Sequence, residues 1–260
     1  VAAKLEDWMA LVPDDSANAA YLRQELRLLH ASFSQAPLLG SLLDPARSFK
    51  GDLATSGINE LRMLLERALA TESSRSLQGH GDEDDDDTWD LALTARGLLD
   101  AARLLNAEYQ LVVTNVPYLG REGHEEALVN YAERAAPDAA ADLATLMLDR
   151  CLGLLSKSGV ISVVMPQNWW VGKSYEDFRK RILRTTTWQL AVVLGEEAWQ
   201  SFGNRGPNTV LVTLRGDVPR ENHCFIGLDV GSRPGEAIFT QERKLDVLAS
   251  ATQSSADSQV

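Results

Sequence analysis

The sequence predicts an α/β protein in which a helical segment precedes a parallel sheet. Before residue 106 the apolar residues recur mainly at helical spacing, three or four positions apart. From residue 109 onward, short apolar and β-branched runs alternate with stretches at helical spacing. Strands that alternate with helices are typical of a parallel sheet covered on both faces, which is the architecture we expect.

The N-terminal part of the chain predicts three helices, at 16–33, 58–70 and 89–105. Asp15 or Ser16 is suited to cap the first of them. The stretch of about 71–88 is rich in serine, glycine and aspartate, which predicts an acidic disordered loop. We therefore expect a helical segment over 1–106 that contains this loop.

The second part of the chain predicts four strands and two long helices. The strands fall at 109–114, 160–166, 190–194 and 208–214, and the helices at 142–155 and 174–183. Together these elements predict a domain over 107–216. The remaining residues are polar, and they predict an irregular extension over 217–260 that ends in a frayed tail.

The composition is that of an ordinary globular protein, with 45% hydrophobic and 24% charged residues. No apolar run approaches the roughly 20 residues that a membrane-spanning helix needs, and the first residues do not resemble a secretory leader. Cys151 and Cys224 stand far apart and outside any metal-ligand spacing, so we expect two buried thiols and no metal site. These features predict a cytoplasmic protein without a membrane partner.

The net charge of −12 argues against a chain that docks broadly on nucleic acid by itself. Six of the negative charges belong to the run Asp-Glu-Asp-Asp-Asp-Asp at 82–87. Such a run is usually a solvated loop. Metal binding or mimicry of DNA is the less common, functional alternative. Contacts to DNA would therefore have to come largely from elsewhere.

The end of the first predicted strand carries the residues with the clearest chemistry, Asn115-Val116-Pro117-Tyr118. Ligands of an open α/β sheet bind beyond the carboxyl ends of its strands. The side-chain oxygen of Asn115 and a neighbouring backbone carbonyl can accept from the exocyclic amine of an extruded base, on which Tyr118 stacks. These contacts would hold the amine nitrogen toward an electrophilic methyl group, which is catalysis by positioning.

Residues 114–118 resemble the Asn-Pro-Pro-Tyr motif of N6-adenine-specific DNA methyltransferases. The resemblance continues through the helix that begins at Asp142, the strand at 160–166 and the segment 166–170. It covers roughly 22–214 and is closest to the large enzymes of phage-defence systems of the BREX and phage-growth-limitation type. It implies a partial Rossmann-like methyltransferase sheet.

The resemblance also implies a function, site-specific adenine N6-methylation in a phage-defence or restriction-modification system. S-adenosyl-L-methionine is the implied methyl donor, and a flipped adenine of double-stranded DNA is the implied substrate. Asn115, Pro117 and Tyr118 are the implied catalytic residues. Other phage-defence proteins are possible partners, and a separate target-recognition region would read the DNA sequence.

Four further residues are candidates for binding roles. Asp142 borders the donor pocket in the resembled family, although an aspartate that begins a helix is equally expected as its N-cap. Val116 would offer its carbonyl to the substrate. Lys173 begins a basic stretch that would contact phosphate, although a solvated helix face is the more common role. Trp169 would flank the flipped base, with a packed aromatic corner as the commoner alternative.

Two departures from the family pattern bear on activity. Val116 stands where the second motif residue is usually proline, so the carbonyl acceptor is kept while the fixed φ angle is lost. No glycine-rich turn after a strand precedes Asn115, so the donor site is expected upstream of Val1.

A catalytically degenerate module that binds DNA or a partner is the main alternative, and methylation of a protein glutamine or of RNA is another. A sheet without its first strands also exposes an apolar edge, which predicts poor solubility.

Overall fold

A computed structural model describes residues 5–10, 12, 19–44, 83–195, 207–231 and 241–257. The chain divides into two compact units, Val1–Ala107 and Glu108–Val260. The described part of the first unit is helical, and the second contains a five-stranded mixed sheet. The chain is therefore of the predicted α/β class, while its division into three segments stays a prediction.

Four α-helices form the described part of the first unit: α1 (Leu5–Ala10), α2 (Ala19–Phe33), α3 (Ala36–Leu39) and α4 (Glu83–Asn106). Their apolar faces make a small core, since Trp8, Leu26 and Leu99 are at most 1% exposed. Helix α2 confirms the helix predicted at 16–33 over its described residues. The helix predicted at 58–70 lies outside the described residues.

The acidic run is helical where the structure describes it, which corrects part of the predicted loop at 71–88. Helix α4 begins at Glu83 and includes Asp84 to Asp87 in its first turns. Negative side chains stabilise the N-terminal turn of a helix because the peptide dipoles place partial positive charge there. An acidic run therefore suits a helix start as well as a loop, and residues 71–82 lie outside the described part.

The sheet of the second unit has the strand order β1-β2-β4-β3-β5. Its strands are β1 (Tyr109–Asn115), β2 (Leu155–Pro166), β3 (Thr187–Gly195), β4 (Thr209–Arg215) and β5 (Ile226–Asp229). β1 is parallel to β2 and β3 is parallel to β5, but β4 runs antiparallel to both of its neighbours. The predicted all-parallel sheet is therefore wrong at β4. A buried central strand has a similar apolar composition in either direction, so the residue pattern does not reveal its polarity.

Four α-helices accompany the sheet: α5 (Glu126–Ala135), α6 (Leu143–Leu152), α7 (Glu176–Thr185) and α8 (Gln241–Asp257). Leu148 of α6 and Phe178 and Ile182 of α7 are completely buried, as are Ile161 of β2 and Val212 of β4. The core of this unit therefore lies between the central strands and these two helices. None of the described helices is long and apolar enough to span a membrane.

The boundary between α6 and β2 lies earlier than the predicted helix at 142–155 and strand at 160–166. Helix α6 ends at Leu152, and β2 begins at Leu155. Inside β2, Ser158 has a left-handed φ of 62° and a Cβ on Gly159 would lie 2.8 Å from the carbonyl oxygen of Tyr109. The Ser-Gly pair, which is typical of a helix end, is here a bend within a strand.

The C-terminal segment is more regular than the extension predicted at 217–260. It contributes β5 at the sheet edge and the helix α8, which includes part of the predicted frayed tail. Lys244 of α8 donates a hydrogen bond from Nζ to the carbonyl oxygen of Leu194 in β3 at 2.6 Å. Polar composition therefore concealed a helix that is anchored to the sheet.

Strand β1 lies at one edge of the sheet. Its apolar, β-branched composition instead predicts a strand in the buried centre. It pairs with β2 alone among the described residues. Leu111 and Val113 are 62% and 71% exposed, although their side chains are apolar. The sheet thus shows an apolar edge, while the poor solubility predicted from it stays a prediction.

Candidate active site

The carboxyl ends of β1 and β2 meet at one edge of the sheet, where Asn115 is the register partner of Val164. Asn115 is the last residue of β1, and it is exposed. Within the described residues, neither its side-chain amide nor the backbone carbonyl of Val116 has a hydrogen-bond partner. Two acceptors of adjacent residues therefore lack a hydrogen-bond partner among the described residues, at the place where α/β sheets bind their ligands.

Val116 is tied to β2 through its own amide. Its N–H donates to the carbonyl oxygen of Val164 at 3.3 Å, and only 3% of the residue is exposed. Proline, the usual residue at this motif position, fixes φ but cannot donate that hydrogen bond. The valine therefore replaces a covalent restraint on the loop with a hydrogen bond and a buried side chain.

The far end of the motif loop, residues 115–120, is held by the start of α6. Gly120 and Asp142 form an isolated antiparallel bridge. The amide of Leu143 donates to the carbonyl oxygen of Leu119 at 2.9 Å. The loop is thus anchored on both sides of the motif, with Pro117 exposed and its neighbour Tyr118 half-buried between the anchors.

Asp142 is buried and hydrogen-bonded through both carboxylate oxygens, with 5% of its surface exposed. Oδ1 accepts from the amide of Thr145 at 2.8 Å and from the hydroxyl of Thr145 at 3.0 Å. This is the N-cap geometry of a helix start, so the N-cap interpretation is confirmed. Oδ2 accepts from the hydroxyl of Tyr175 at 2.7 Å. A contact between Asp142 and a methyl donor stays a prediction.

Tyr175 joins this aspartate to the turn that follows β2. The turn is the 3₁₀ helix Gln167–Trp170, in which the side-chain nitrogen of Asn168 donates to the Tyr175 hydroxyl oxygen at 3.0 Å. Burial raises the pKa of the Tyr175 hydroxyl, and the hydrogen bond to Asp142 raises it further. The hydroxyl therefore keeps its proton at neutral pH and donates it to the carboxylate.

Trp169 lies in a packed aromatic cluster with Trp170, Phe178, Trp188 and Phe225. Its ring centroid is 5.7 Å from that of Phe178 and 5.8 Å from that of Trp188, and the residue is 1% exposed. The cluster borders a cavity of about 460 Å³ beside α7, β3 and β5. The structure therefore gives Trp169 the role of a packed aromatic corner, and contact with a flipped base would require its ring to become accessible.

The basic stretch from Lys173 to Arg184 is used mostly inside the fold. Arg179 donates to two backbone carbonyl oxygens, and Arg181 donates to two aspartate carboxylates at 2.6 and 2.7 Å. Lys180 pairs with a glutamate one turn earlier on α7. Lys173 and Arg184 are exposed and have no charged partner among the described residues. Of this basic stretch, Lys173 and Arg184 are therefore accessible to a phosphate, and Lys173 is the one predicted to contact it.

A second cavity, of about 470 Å³, opens at the same edge of the sheet as the motif loop. It is lined by Pro166, Gln167, Asn168, Val171, Pro207 and Asn208. Pro166 is the last residue of β2, and the other lining residues follow β2 or precede β4, whose first residue Thr209 pairs with Pro166. Because β2 also carries the register partner of Asn115, this cavity lies at the carboxyl ends of the same strand pair and is a candidate space for a planar substrate group.

Sequence reasoning missed two members of the site, Asn168 and Tyr175. Asn168 follows the end of a strand, which is a usable signal for a ligand site. Tyr175 lies 33 positions from Asp142 in the chain, and no local pattern reveals that contact. In the structure, the motif loop, Asp142 and the turn near Lys173 lie in one region. The Trp169 ring packs in the aromatic cluster instead.

The family of the chain follows from residues 23–199, which match the model described as Eco57I restriction-modification methylase. The match covers more than half of the chain. The chain belongs to this family. The motif loop of this methylase-family chain, with its anchors β2 and α6, lies within the matched residues.

Two curated relatives are adenine-specific methyltransferases by name. The chain is 28% identical over 214 residues to BrxX of Escherichia coli O9:H4 (strain HS), a match that covers 82% of this chain and 16% of the relative. It is 22% identical over 129 residues to PglX of Lacticaseibacillus casei (strain Zhang), covering 49% of this chain and 10% of that relative. The predicted resemblance is confirmed, and the chain spans only a small part of each relative's length.

Solved structures resemble the chain more distantly. A nuclease-deletion mutant of the Type ISP restriction-modification enzyme LlaGI, in complex with a DNA substrate mimic, aligns with a TM-score of 0.43 at 16% identity over 62% of this chain and 15% of that one. The EcoKI M protein aligns with a TM-score of 0.35 at 15% identity over 73% of this chain and 46% of that one. Both TM-scores lie below 0.5, so the family assignment depends on the sequence match.

The described residues do not fit a binding site for a methyl donor. β1 is the first strand in the described part, and no strand with a glycine-rich turn precedes it there. In the same part, no group of three or more histidine, cysteine, aspartate or glutamate side chains is placed to hold a metal ion. Cys151 is buried as expected, but Cys224 is exposed, which corrects the expectation of two buried thiols.

Proposed function

We propose that this chain forms the target-base side of a DNA adenine N6-methyltransferase of a restriction-modification or phage-defence system. The observation that carries the proposal is the pair of acceptors without a hydrogen-bond partner among the described residues, Asn115 Oδ1 and the Val116 carbonyl, at the carboxyl end of β1. Membership in a methylase family and the names of two adenine-specific relatives support it. The same names favour catalysis over a degenerate binding module.

The chemistry of the target amine explains why two acceptors are needed. The N6 amine of adenine has two N–H donors, and Asn115 Oδ1 and the Val116 carbonyl would accept one each. With both protons held, the nitrogen lone pair is directed out of the plane of the base toward the incoming methyl group. Positive charge develops on the amine during transfer, which strengthens both hydrogen bonds in the transition state. The anchored loop fixes the acceptors before the base arrives.

The surroundings of the loop supply room and contacts for an extruded base. The Tyr118 ring would stack on the base, and the cavity of about 470 Å³ at this sheet edge would receive it. Pro117 would stiffen the loop between the acceptor and the ring. Lys173 would contact a phosphate of the flanking backbone, where it positions the DNA without reading its sequence.

S-adenosyl-L-methionine is the proposed methyl donor, double-stranded DNA the proposed substrate and the cytoplasm the proposed location. Among the described residues no donor site is formed, so the residues of the motif loop are assigned the binding and orientation of the target base. Asp142 remains a proposed neighbour of the donor. Other phage-defence proteins are proposed partners of the whole enzyme.

The identity of the methylated product tests this function. Full-length protein would be incubated with double-stranded DNA and S-adenosyl-L-methionine, and the DNA would then be digested to nucleosides for mass spectrometry. We expect N6-methyladenine as the new nucleoside. Methylation of cytosine or of a protein glutamine would contradict the proposal, and DNA binding without methylation would indicate the degenerate module.

A further inference from the structure

Tyr175 connects the two segments that flank the proposed base site. Its hydroxyl lies 2.7 Å from Asp142 Oδ2 and 3.0 Å from Asn168 Nδ2. Asp142 is bridged to Gly120 at the end of the motif loop, and Asn168 lines the cavity at the sheet edge. A continuous chain of polar contacts therefore runs from the motif loop through Tyr175 to the cavity wall.

The donors and acceptors in this chain determine the orientation of Asn168. An ionised carboxylate only accepts, so the hydroxyl proton of Tyr175 goes to Asp142. The hydroxyl oxygen then offers lone pairs alone, and Asn168 must present its NH₂ group to them. The Asn168 carbonyl oxygen is consequently the end of the amide turned away from Tyr175, and it has no partner among the described residues.

The turn that carries Asn168 has further hydrogen bonds, and these hold its main chain. Arg179 donates to two carbonyl oxygens in and after the turn, at 2.8 and 2.6 Å. The amide of Gln167 donates to a carbonyl oxygen just before β4 at 2.8 Å. Loss of the Tyr175 hydroxyl is therefore expected to leave the turn folded while the Asn168 side chain loses its fixed orientation.

We propose that Tyr175 is a positioning residue for the transfer reaction: it joins Asp142 to Asn168 and so holds the wall of the base cavity in register with the loop that carries Asn115. The inference rests on the proposed function, because it concerns the same base site. Tyr175 acts through its two partners and is not itself required to touch the base. An active site that is displaced by even about 1 Å can lose about 100-fold in rate.

The test compares four variants of the full-length protein. Tyr175→Phe removes the hydroxyl alone, Asn168→Ala removes the amide, and the third variant combines both changes. Thr186→Val is the matched control, because it also removes a buried hydroxyl hydrogen bond, 2.7 Å long, at the opposite end of the strands. Methyl-transfer kinetics on DNA and thermal unfolding would be measured for each variant.

The proposal expects Tyr175→Phe to lower kcat about tenfold or more, with little change in KM for DNA. It expects the double variant to be no slower than the slower single variant, since both changes break one chain of contacts. Thr186→Val should lower Tm and leave kcat unchanged. Additive losses in the double variant, or an equal loss of kcat in Thr186→Val, would overturn the positioning role.

Failure of the inference and failure of the proposed function give different results. If wild-type protein methylates adenine and Tyr175→Phe keeps the full kcat, Tyr175 is not a positioning residue and the proposed function stands. If wild-type protein methylates no adenine in DNA, the proposed function is wrong and the positioning role is overturned with it. In that case the losses of Tm in the two single variants and the double variant still show whether the three side chains are coupled.

Discussion

At the scale of single residues, the motif loop is held by contacts that differ from those of the usual family motif. Val116 donates its amide to Val164 and buries its side chain, which a proline in the same place achieves only in part. Asp142 caps α6 and also accepts from Tyr175, so one carboxylate connects a helix start with the turn after β2. The geometry of the candidate site therefore depends on hydrogen bonds that single substitutions can remove.

Changing Val116→Pro restores the usual motif residue but removes the amide that donates to Val164. We expect the free energy of unfolding to fall by about 1 kcal/mol, the net value of a typical hydrogen bond, with no gain in methylation rate. Urea unfolding and a methylation assay would measure both effects. A more stable and faster Val116→Pro protein would show that the hydrogen bond does not replace the restraint of proline.

The raised pKa of Tyr175 predicts how stability depends on pH. Because its pKa is higher in the folded than in the unfolded protein, its contribution is complete below about pH 10, the usual tyrosine pKa, and is lost as pH rises further. The difference in unfolding free energy between wild type and Tyr175→Phe should be constant from neutral pH to about pH 9 and shrink above pH 10. A difference that already shrinks near neutral pH would contradict a buried, protonated tyrosine.

At the scale of secondary-structure elements, α7 is attached to its neighbours by Arg181. The guanidinium donates to Asp138 before α6 at 2.6 Å and to Asp149 within α6 at 2.7 Å, and it lies 5.2 Å from the Phe178 ring centroid. Through these contacts, Arg181 of the basic stretch holds α7 against α6. The exposed Arg184 on the same helix has no such partners among the described residues.

Replacing Arg181→Met keeps much of the side-chain length and removes the charge. Two half-buried aspartates would lose their partner, so we expect the unfolding free energy to fall by about 1 kcal/mol, discounted for the solvent that reaches this site. Arg184→Met is the matched control and should change stability little. Equal effects of the two substitutions in urea unfolding would mean that the paired aspartates contribute nothing measurable.

At the scale of the whole molecule, the exposed apolar edge at β1 governs how the isolated chain behaves. Leu111 and Val113 lie two residues apart on one strand and therefore share a face of the sheet. Unpaired edge strands with exposed apolar side chains promote association between copies. Another protein segment must therefore cover this edge if the protein is to stay monomeric.

We expect the isolated 260-residue chain to self-associate, and Val113→Lys to reduce that association. Sedimentation velocity over a range of concentrations would measure it. Val218→Lys, a similar change at an exposed valine outside the strands, serves as the control. A wild-type chain that stays monomeric at all concentrations would contradict the prediction.

The sequence predicted the secondary-structure elements and the motif loop better than it predicted which elements and side chains lie next to one another. The apolar runs located β1 and β4, because side-chain composition reflects burial and backbone preference. The composition of β1 predicted a buried strand, and only the missing donor motif predicted an exposed apolar edge. The antiparallel direction of β4 was not predicted, since strand order and polarity depend on contacts between distant residues. For the same reason Asn115 was found from its place at a strand end, whereas the contact of Tyr175 with Asp142 required the structure.

The most direct test of the central claim is the rate of adenine methylation by full-length protein after Asn115→Ala, compared with Asn130→Ala. Asn130 is an exposed asparagine on α5, so its substitution removes the same amide from a helix instead of from the strand end. We predict that Asn115→Ala lowers kcat by about 100-fold or more and that Asn130→Ala leaves it unchanged. Full activity of the Asn115→Ala protein would contradict the assignment of this sheet edge as the base site.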